Sequence, residues 1–128
     1  MANIPDNLKY SVEHEWLRVD DDVVRIGITE HAQDQLGDIV YVDLPKAGAK
    51  VTAGKPLGVV ESVKAASDIF SPVTGIVEET NARLMDEPEL VNTDPYGDGW
   101  MVTVRLASPA EIGELLDAKA YVKLLAEA

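Results

Sequence analysis

Apolar residues in this chain recur mainly at every second position, in short runs broken by glycine, proline and aspartate, the pattern of half-buried strands. Glu15 to Val19 alternates and runs into the turn signal Asp20-Asp21-Asp22. Val23 to Thr29 follows, so the two segments predict a β-hairpin. Further strands are predicted over Asp38–Pro45, Gly75–Asn81 and Gly99–Leu106, and on either side of Lys64 over Pro56–Val63 and Ala66–Phe70. The glycines of "KAGAK", "TAGKP" and "YGDGW" mark turns between them.

Helical spacing is confined to shorter stretches. Thr29 can cap a helix in which Glu30 suits the positive end of the dipole, and Gly37 can end it. Asn81 to Glu87 predicts one helical turn before Pro88. In the tail, Ser108 stands at a cap position, Pro109 in the first turn and Glu111 where a capping box places a carboxylate. Ile112, Leu115 and Leu116 form an apolar face, and a second segment, Asp117 to Ala126, turns Tyr121, Leu124 and Leu125 inward. No low-complexity linker divides the 128 residues. The expectation is a single, mainly β domain over residues 1–128 whose C-terminal extension, 108–128, is helical and covers one end.

Composition narrows the function classes. With 23 acidic against 11 basic residues the net charge is −12, a field that repels phosphate backbones and anionic membrane surfaces. No nucleic-acid or membrane partner is expected, and no apolar run nears the roughly 18 residues of a membrane span. The N-terminus has neither the basic start and apolar core of a secretory signal nor the arginine content of a transit peptide. The absence of cysteine excludes disulfides, zinc thiolates and a thiol nucleophile.

Catalytic constellations are missing. His14 and His31 have no partner at metal-ligand spacing, and each reads as a surface or capping residue. There is no nucleophile elbow, P-loop or dinucleotide fingerprint. Asp20–Asp22 does not open a calcium loop, because Arg25 falls where that loop needs glycine.

Lys64 stands out against this background. On its own, a strand lysine is an outward, solvated residue. Here Gly54 and Gly75 each open a strand–turn segment at nearly equal distances before and after it, so it falls at the tip of a hairpin. Ser62, Ala65 and Ala66 are small enough to let another enzyme approach, which is what a covalent attachment site needs.

"HEW", "IGITEHAQDQLGDIVYVDLP", "ESVKAASD", "SPVTGIVEETN" and "DPYGDGW", all in order, resemble the glycine cleavage H-protein family from Tyr10 to the final helices. The resemblance implies a lipoyl-domain-like flattened β-barrel, a barrel–sandwich hybrid, with lipoic acid in amide linkage on Lys64. It implies a carrier that takes the aminomethyl group of glycine from a pyridoxal-phosphate glycine decarboxylase to a tetrahydrofolate-dependent aminomethyltransferase. Dihydrolipoamide dehydrogenase then reoxidises the arm, and the carrier catalyses nothing itself. A lipoate ligase or lipoyl transferase is the modifying partner, with Glu61, Ser62 and Ala65 implied in its recognition. Glu15, Gln35 and Asp68 are candidates for the cleft that shelters the loaded arm; some relatives carry histidine at the position of Gln35. A cytoplasmic monomer is expected, mitochondrial only if a transit peptide has been removed. Val63-Lys64-Ala65 departs from the Met-Lys-Met of biotin carriers, and the chain lacks the linkers of 2-oxo acid dehydrogenase lipoyl modules. A lipoyl carrier of another pathway (lipoate relay or sulfur oxidation), or an interaction module without a prosthetic group, stays open on sequence.

Overall fold

The structure, a computed structural model, describes residues 4–127; residues 1–3 and Ala128, the ends of the expected domain, lie outside the described residues. Among the described residues nine strands form two sheets: β1 (Lys9–Tyr10), β2 (Glu15–Asp20), β3 (Val23–Ile28), β4 (Ile39–Asp43), β5 (Lys50–Val51), β6 (Pro56–Ser62), β7 (Ala66–Phe70), β8 (Gly75–Thr80) and β9 (Val102–Leu106). The larger sheet has the order β1-β2-β3-β9-β8-β5 and the smaller β4-β6-β7. Leu17, Val24, Ile26, Val77 and Val104 of the first meet Val42, Val60 and Ile69 of the second in one buried core. This two-sheet arrangement is mainly β, as the pattern predicts, and is the lipoyl-domain-like sandwich that the family resemblance implies.

The predicted hairpin pairs from Glu15↔Ile28 to Asp20↔Val23, with Asp21 at φ +56°, a left-handed conformation that aspartate tolerates in turns. Helix α1 (Glu30–Leu36) is bounded as expected. Thr29 Oγ1 accepts the Ala32 N–H at 3.2 Å, and Gly37, at φ +83°, ends it. The turn predicted over Asn81–Glu87 is α2 (Arg83–Asp86). A further short helix, α3 (Leu90–Thr93), carries no strong periodic signal and was not expected, nor were the two-residue strands β1 and β5. Strand β9 starts later than predicted, because Gly99 and Trp100 donate their N–H groups to Asp94 and Gly97 in the preceding turn.

The tail departs from expectation at its first helix. Pro109–Glu114 is a 3₁₀ helix, and Ser108 makes no side-chain cap. Glu111 Oε1 instead accepts the Thr74 N–H at 2.9 Å, so a tertiary partner displaces the capping box. Helix α4 (Ala118–Glu127) opens on Asp117, whose Oδ1 accepts the Ala120 N–H at 2.8 Å. Tyr121 faces inward as predicted and stacks on Tyr10, centroids 4.6 Å apart and planes at 6°, in a second buried cluster with Leu8, Trp16 and Ala118. The two Tyr10–Leu116 backbone bonds, 2.7 and 2.8 Å, fix the tail to β1.

Candidate functional site

The β6–β7 hairpin turns over Ser62–Ala65, and one serine organises the turn. Ser62 Oγ accepts the N–H groups of Lys64 (3.1 Å) and Ala65 (3.2 Å) and donates to the Ala65 carbonyl (3.2 Å), while its own N–H donates to that carbonyl at 2.8 Å. The Val63 N–H reaches the Asp38 carbonyl at 3.0 Å, pinning the tip to the start of β4. Lys64 therefore leaves a braced backbone with its side chain exposed, and among the described residues it pairs with no carboxylate. Glu61 and Ala65 are exposed beside it, so the structure brings the three recognition candidates to one turn while giving Ser62 a structural task.

Gly37 supplies the seat for the lysine stem: a Cβ there would lie 3.3 Å from Lys64 Cε. The seat is held by Asn92 of α3. Its Oδ1 accepts the Ile39 N–H (2.8 Å), and its Nδ2 donates to the Gly37 carbonyl and to Gln33 Oε1 (both 2.9 Å). No motif singled out Asn92, because its partners lie on α1 and β4, remote in sequence.

A cleft of about 370 Å³ runs along the β7 edge under α1, and Glu15, Gln35 and Asp68 all line it. Gln35 and Asp68 are exposed at its rim, whereas Glu15 is 3% exposed. Ser11 Oγ donates to Glu15 Oε1 at 2.5 Å and accepts the Glu15 N–H at 3.0 Å. Burial pushes the Glu15 carboxyl up to about 7 and Glu13 adds to the rise, against the hydrogen bonds from Ser11 and the Phe70 backbone. A second hollow of about 390 Å³ adjoins the first, sharing Glu13, Glu15 and Phe70 and adding Glu111 and Glu114. Only the first is lined by Val60, Ser67 and Asp68, so it is the one that shares the hairpin carrying Lys64.

His14 and His31, read separately in the sequence, meet on the cleft wall with ring centroids 4.7 Å apart. The link is His14's backbone, at φ +71°, whose carbonyl accepts the Thr29 N–H at 3.0 Å where α1 begins. His14 Nδ1 and Thr29 Oγ1 each lie 2.8 Å from the Tyr121 hydroxyl, so helix α4 reaches through one phenol to the cleft wall and to the cap of α1. Burial, and then neighbouring His31, hold the His14 imidazole below its ordinary pKa, while burial pushes Tyr121 up to about 12.

Comparison with known proteins decides what this arrangement is. The sequence model described as "Glycine cleavage H-protein" matches residues 8–128. The chain belongs to the glycine cleavage H-protein family. It is 56% identical over 127 residues to the glycine cleavage system H protein of Marinobacter nauticus, and 57% identical over 126 residues to that of an Enterobacter species, each match covering 98% of both chains. The crystal structure of a glycine cleavage system H protein from Mycobacterium marinum superposes with a TM-score of 0.89 at 40% identity, covering 96% of this chain and 99% of that one. The H-protein family is the lipoyl carrier of the glycine cleavage system, and that is the function of this chain. Among the described residues no helix is long and apolar enough to cross a membrane.

Proposed function

We propose that Lys64 is the residue that carries lipoic acid here, and that the cleft bounded by Glu15, Gln35 and Asp68 shelters the aminomethyl end of the arm. The observation that carries this reading is an exposed lysine, with no carboxylate partner among the described residues, on a turn braced by Ser62 and Asp38 at the end of the hairpin whose Val60, Ser67 and Asp68 line that cleft. The residues fit the group: the amine is free to be acylated, and the cleft offers oxygen acceptors on partly apolar walls.

In the modification the neutral Lys64 amine attacks an activated lipoyl carbonyl. The C–N bond forms, the activating group leaves with its bonding pair, and the amine's proton passes to solvent. Lipoic acid then supplies a disulfide able to accept and release a one-carbon unit. The chain itself tethers and positions, without catalysing a step, and raises the effective concentration of its cargo at each enzyme it visits. Glu15 is the buried acceptor. With its carboxyl pushed up to about 7 it titrates close to neutral pH, and a protonated amine alongside favours its carboxylate form. Gln35 and Asp68 offer further acceptors at the rim.

In this reading, residues 1–128 act as one lipoyl-binding domain with its extension over 108–128. The domain works as a cytoplasmic monomer and meets glycine decarboxylase, aminomethyltransferase and dihydrolipoamide dehydrogenase in turn. Glu61, Ser62 and Ala65 present the lysine to a lipoate ligase or lipoyl transferase. Intact-mass analysis after growth with lipoate tests the site: one lipoyl group on the wild type and none on Lys64→Ala is the expected result. A lipoyl group on another lysine, or none on the wild type, refutes it. Glycine–bicarbonate exchange with purified glycine decarboxylase then separates glycine cleavage from another lipoyl pathway.

A further inference from the structure

The outward surface next to the tip carries an apolar patch that the carrier function leaves unexplained. Strict alternation along Ile39-Val40-Tyr41-Val42-Asp43 would put only one of Val40 and Tyr41 outside. Instead the register shifts between Ile39 and Tyr41, so that Ile39 and Val42 stay buried while Val40 and Tyr41 are 54% and 43% exposed. A bulge of this kind re-aims side chains. Tyr41 pairs with Glu61 and Glu61 with Ala66, which sets these three in one row directly below the turn. Above that row stands Val63, 67% exposed and tied to Asp38 by its N–H. Val40, Tyr41 and Val63 thus form one apolar surface beside Lys64, edged by exposed Asp38, Asp43 and Glu61.

We infer that this patch is the docking surface of the enzyme that acylates Lys64, and that this enzyme meets it with an apolar centre and a basic rim. The inference rests on the assignment of Lys64 as the lipoylated residue. Reach selects the occupant. An enzyme forming a bond to Nζ must bring its reacting atoms within bonding distance of a side chain four carbons long, so its surface covers the tip and the row below it. Enzymes that work on the arm's sulfurs act at its far end, so the reacting atoms do not themselves demand this surface, and whether those enzymes use it is read by the glycine decarboxylase arm of the test. Charge selects the chemistry of the rim, because the patch is edged by carboxylates on a chain of net charge −12.

The test uses the full unmodified chain and a purified lipoate ligase with lipoate and ATP. The Val40→Ser/Tyr41→Ser double variant, confirmed folded by its melting transition, is expected to lose about tenfold or more in kcat/KM, mainly through KM. The Lys64→Ala chain, which keeps the patch but offers no amine, is expected to inhibit acylation of the wild type competitively. Adding the two serine substitutions to it should abolish that inhibition. The KM of the wild type should rise with salt as the rim is screened. Acylation of the double variant with the wild-type KM, or equal inhibition by both Lys64→Ala chains, overturns the proposal. So does normal acylation of a double variant that, once lipoylated, fails with glycine decarboxylase, because the patch then serves that enzyme. A wild-type chain left unmodified at Lys64 overturns the underlying site assignment instead, which mass analysis of the same reaction reveals.

Discussion

Replacing Glu15 by glutamine should make the protein more stable at neutral pH while weakening its hold on a cationic cargo. Glu15 is 3% exposed, and its carboxyl is lifted from its ordinary 4.5 to about 7, chiefly by burial. The folded state therefore holds this proton more tightly than the unfolded chain does. Stability is full below pH 4.5, falls as the pH rises between the two values, and the loss is complete above about 7. A rise of that size corresponds to about 3 kcal/mol, a ceiling because the carboxyl borders an open cleft whose water eases its ionisation. Glutamine keeps an oxygen to accept from Ser11 and has no proton to lose. Urea unfolding of wild type and Glu15→Gln from pH 4.5 to 8.5 at constant ionic strength isolates the effect, since the other titrating groups are common to both. The variant's advantage should grow with pH and level off above about 7, reaching at most about 3 kcal/mol. A difference that stays flat across the range, or that shrinks as pH rises, refutes the reasoning.

Three further outcomes follow from the packing. At Gly75 a Cβ would meet the Arg105 carbonyl and Val104 across the β8–β9 pair, and backbone there cannot yield. Gly75→Ala should cost about 3 kcal/mol, read as a melting temperature lowered by on the order of 10 °C. Asn92→Ala strips partners from the Ile39 N–H and the Gly37 carbonyl. It should cost about 2 kcal/mol and accelerate amide hydrogen exchange at Ile39 before the rest of the core. Because His31 is the second cause of the low His14 pKa, His31→Asn should raise that pKa in an NMR titration without fully restoring it, burial being the first cause.

Where signals were local, the sequence was a good guide. The β2–β3 hairpin, the Thr29 and Gly37 limits of α1 and the strands flanking Lys64 all rest on turn and cap chemistry within a few residues. The tail shows where such reasoning ends. Ser108 and Glu111 have the spacing of a capping box, yet the Thr74 amide, remote in the chain, takes the carboxylate. The same reason hid the histidine pair and Asn92, since neither His14 nor His31 has a local motif and each acquires its meaning only when α1 folds back onto the turn before β2. Glu15, Gln35 and Asp68 could be named from family likeness, but their meeting in one cleft, and the near-complete burial of Glu15 against the exposure of the other two, needed the fold.

The geometry also divides the labour around one side chain. Val60 and Ser67, cross-strand partners in the hairpin, line the cleft, while the next pair, Glu61 and Ala66, faces outward in the row with Tyr41. Alternation thus separates Val60 and Ser67, toward the cleft, from Glu61 and Ala66, next to the amine, whereas Asp68, on the Ala66 side of the edge strand β7, meets the cleft only at its rim. On the proposed assignment, acylation removes the charge of Lys64, so the carrier becomes one unit more acidic once modified, and the modifying enzyme loses the amine it acts on. Substitutions in the outward row should therefore slow modification and spare turnover of a chain already lipoylated. Substitution of Glu15, buried on the cleft side, should do the reverse. If both sets slowed both reactions alike, one shared surface would be serving every partner, and the division drawn here from the strand's alternation would be wrong.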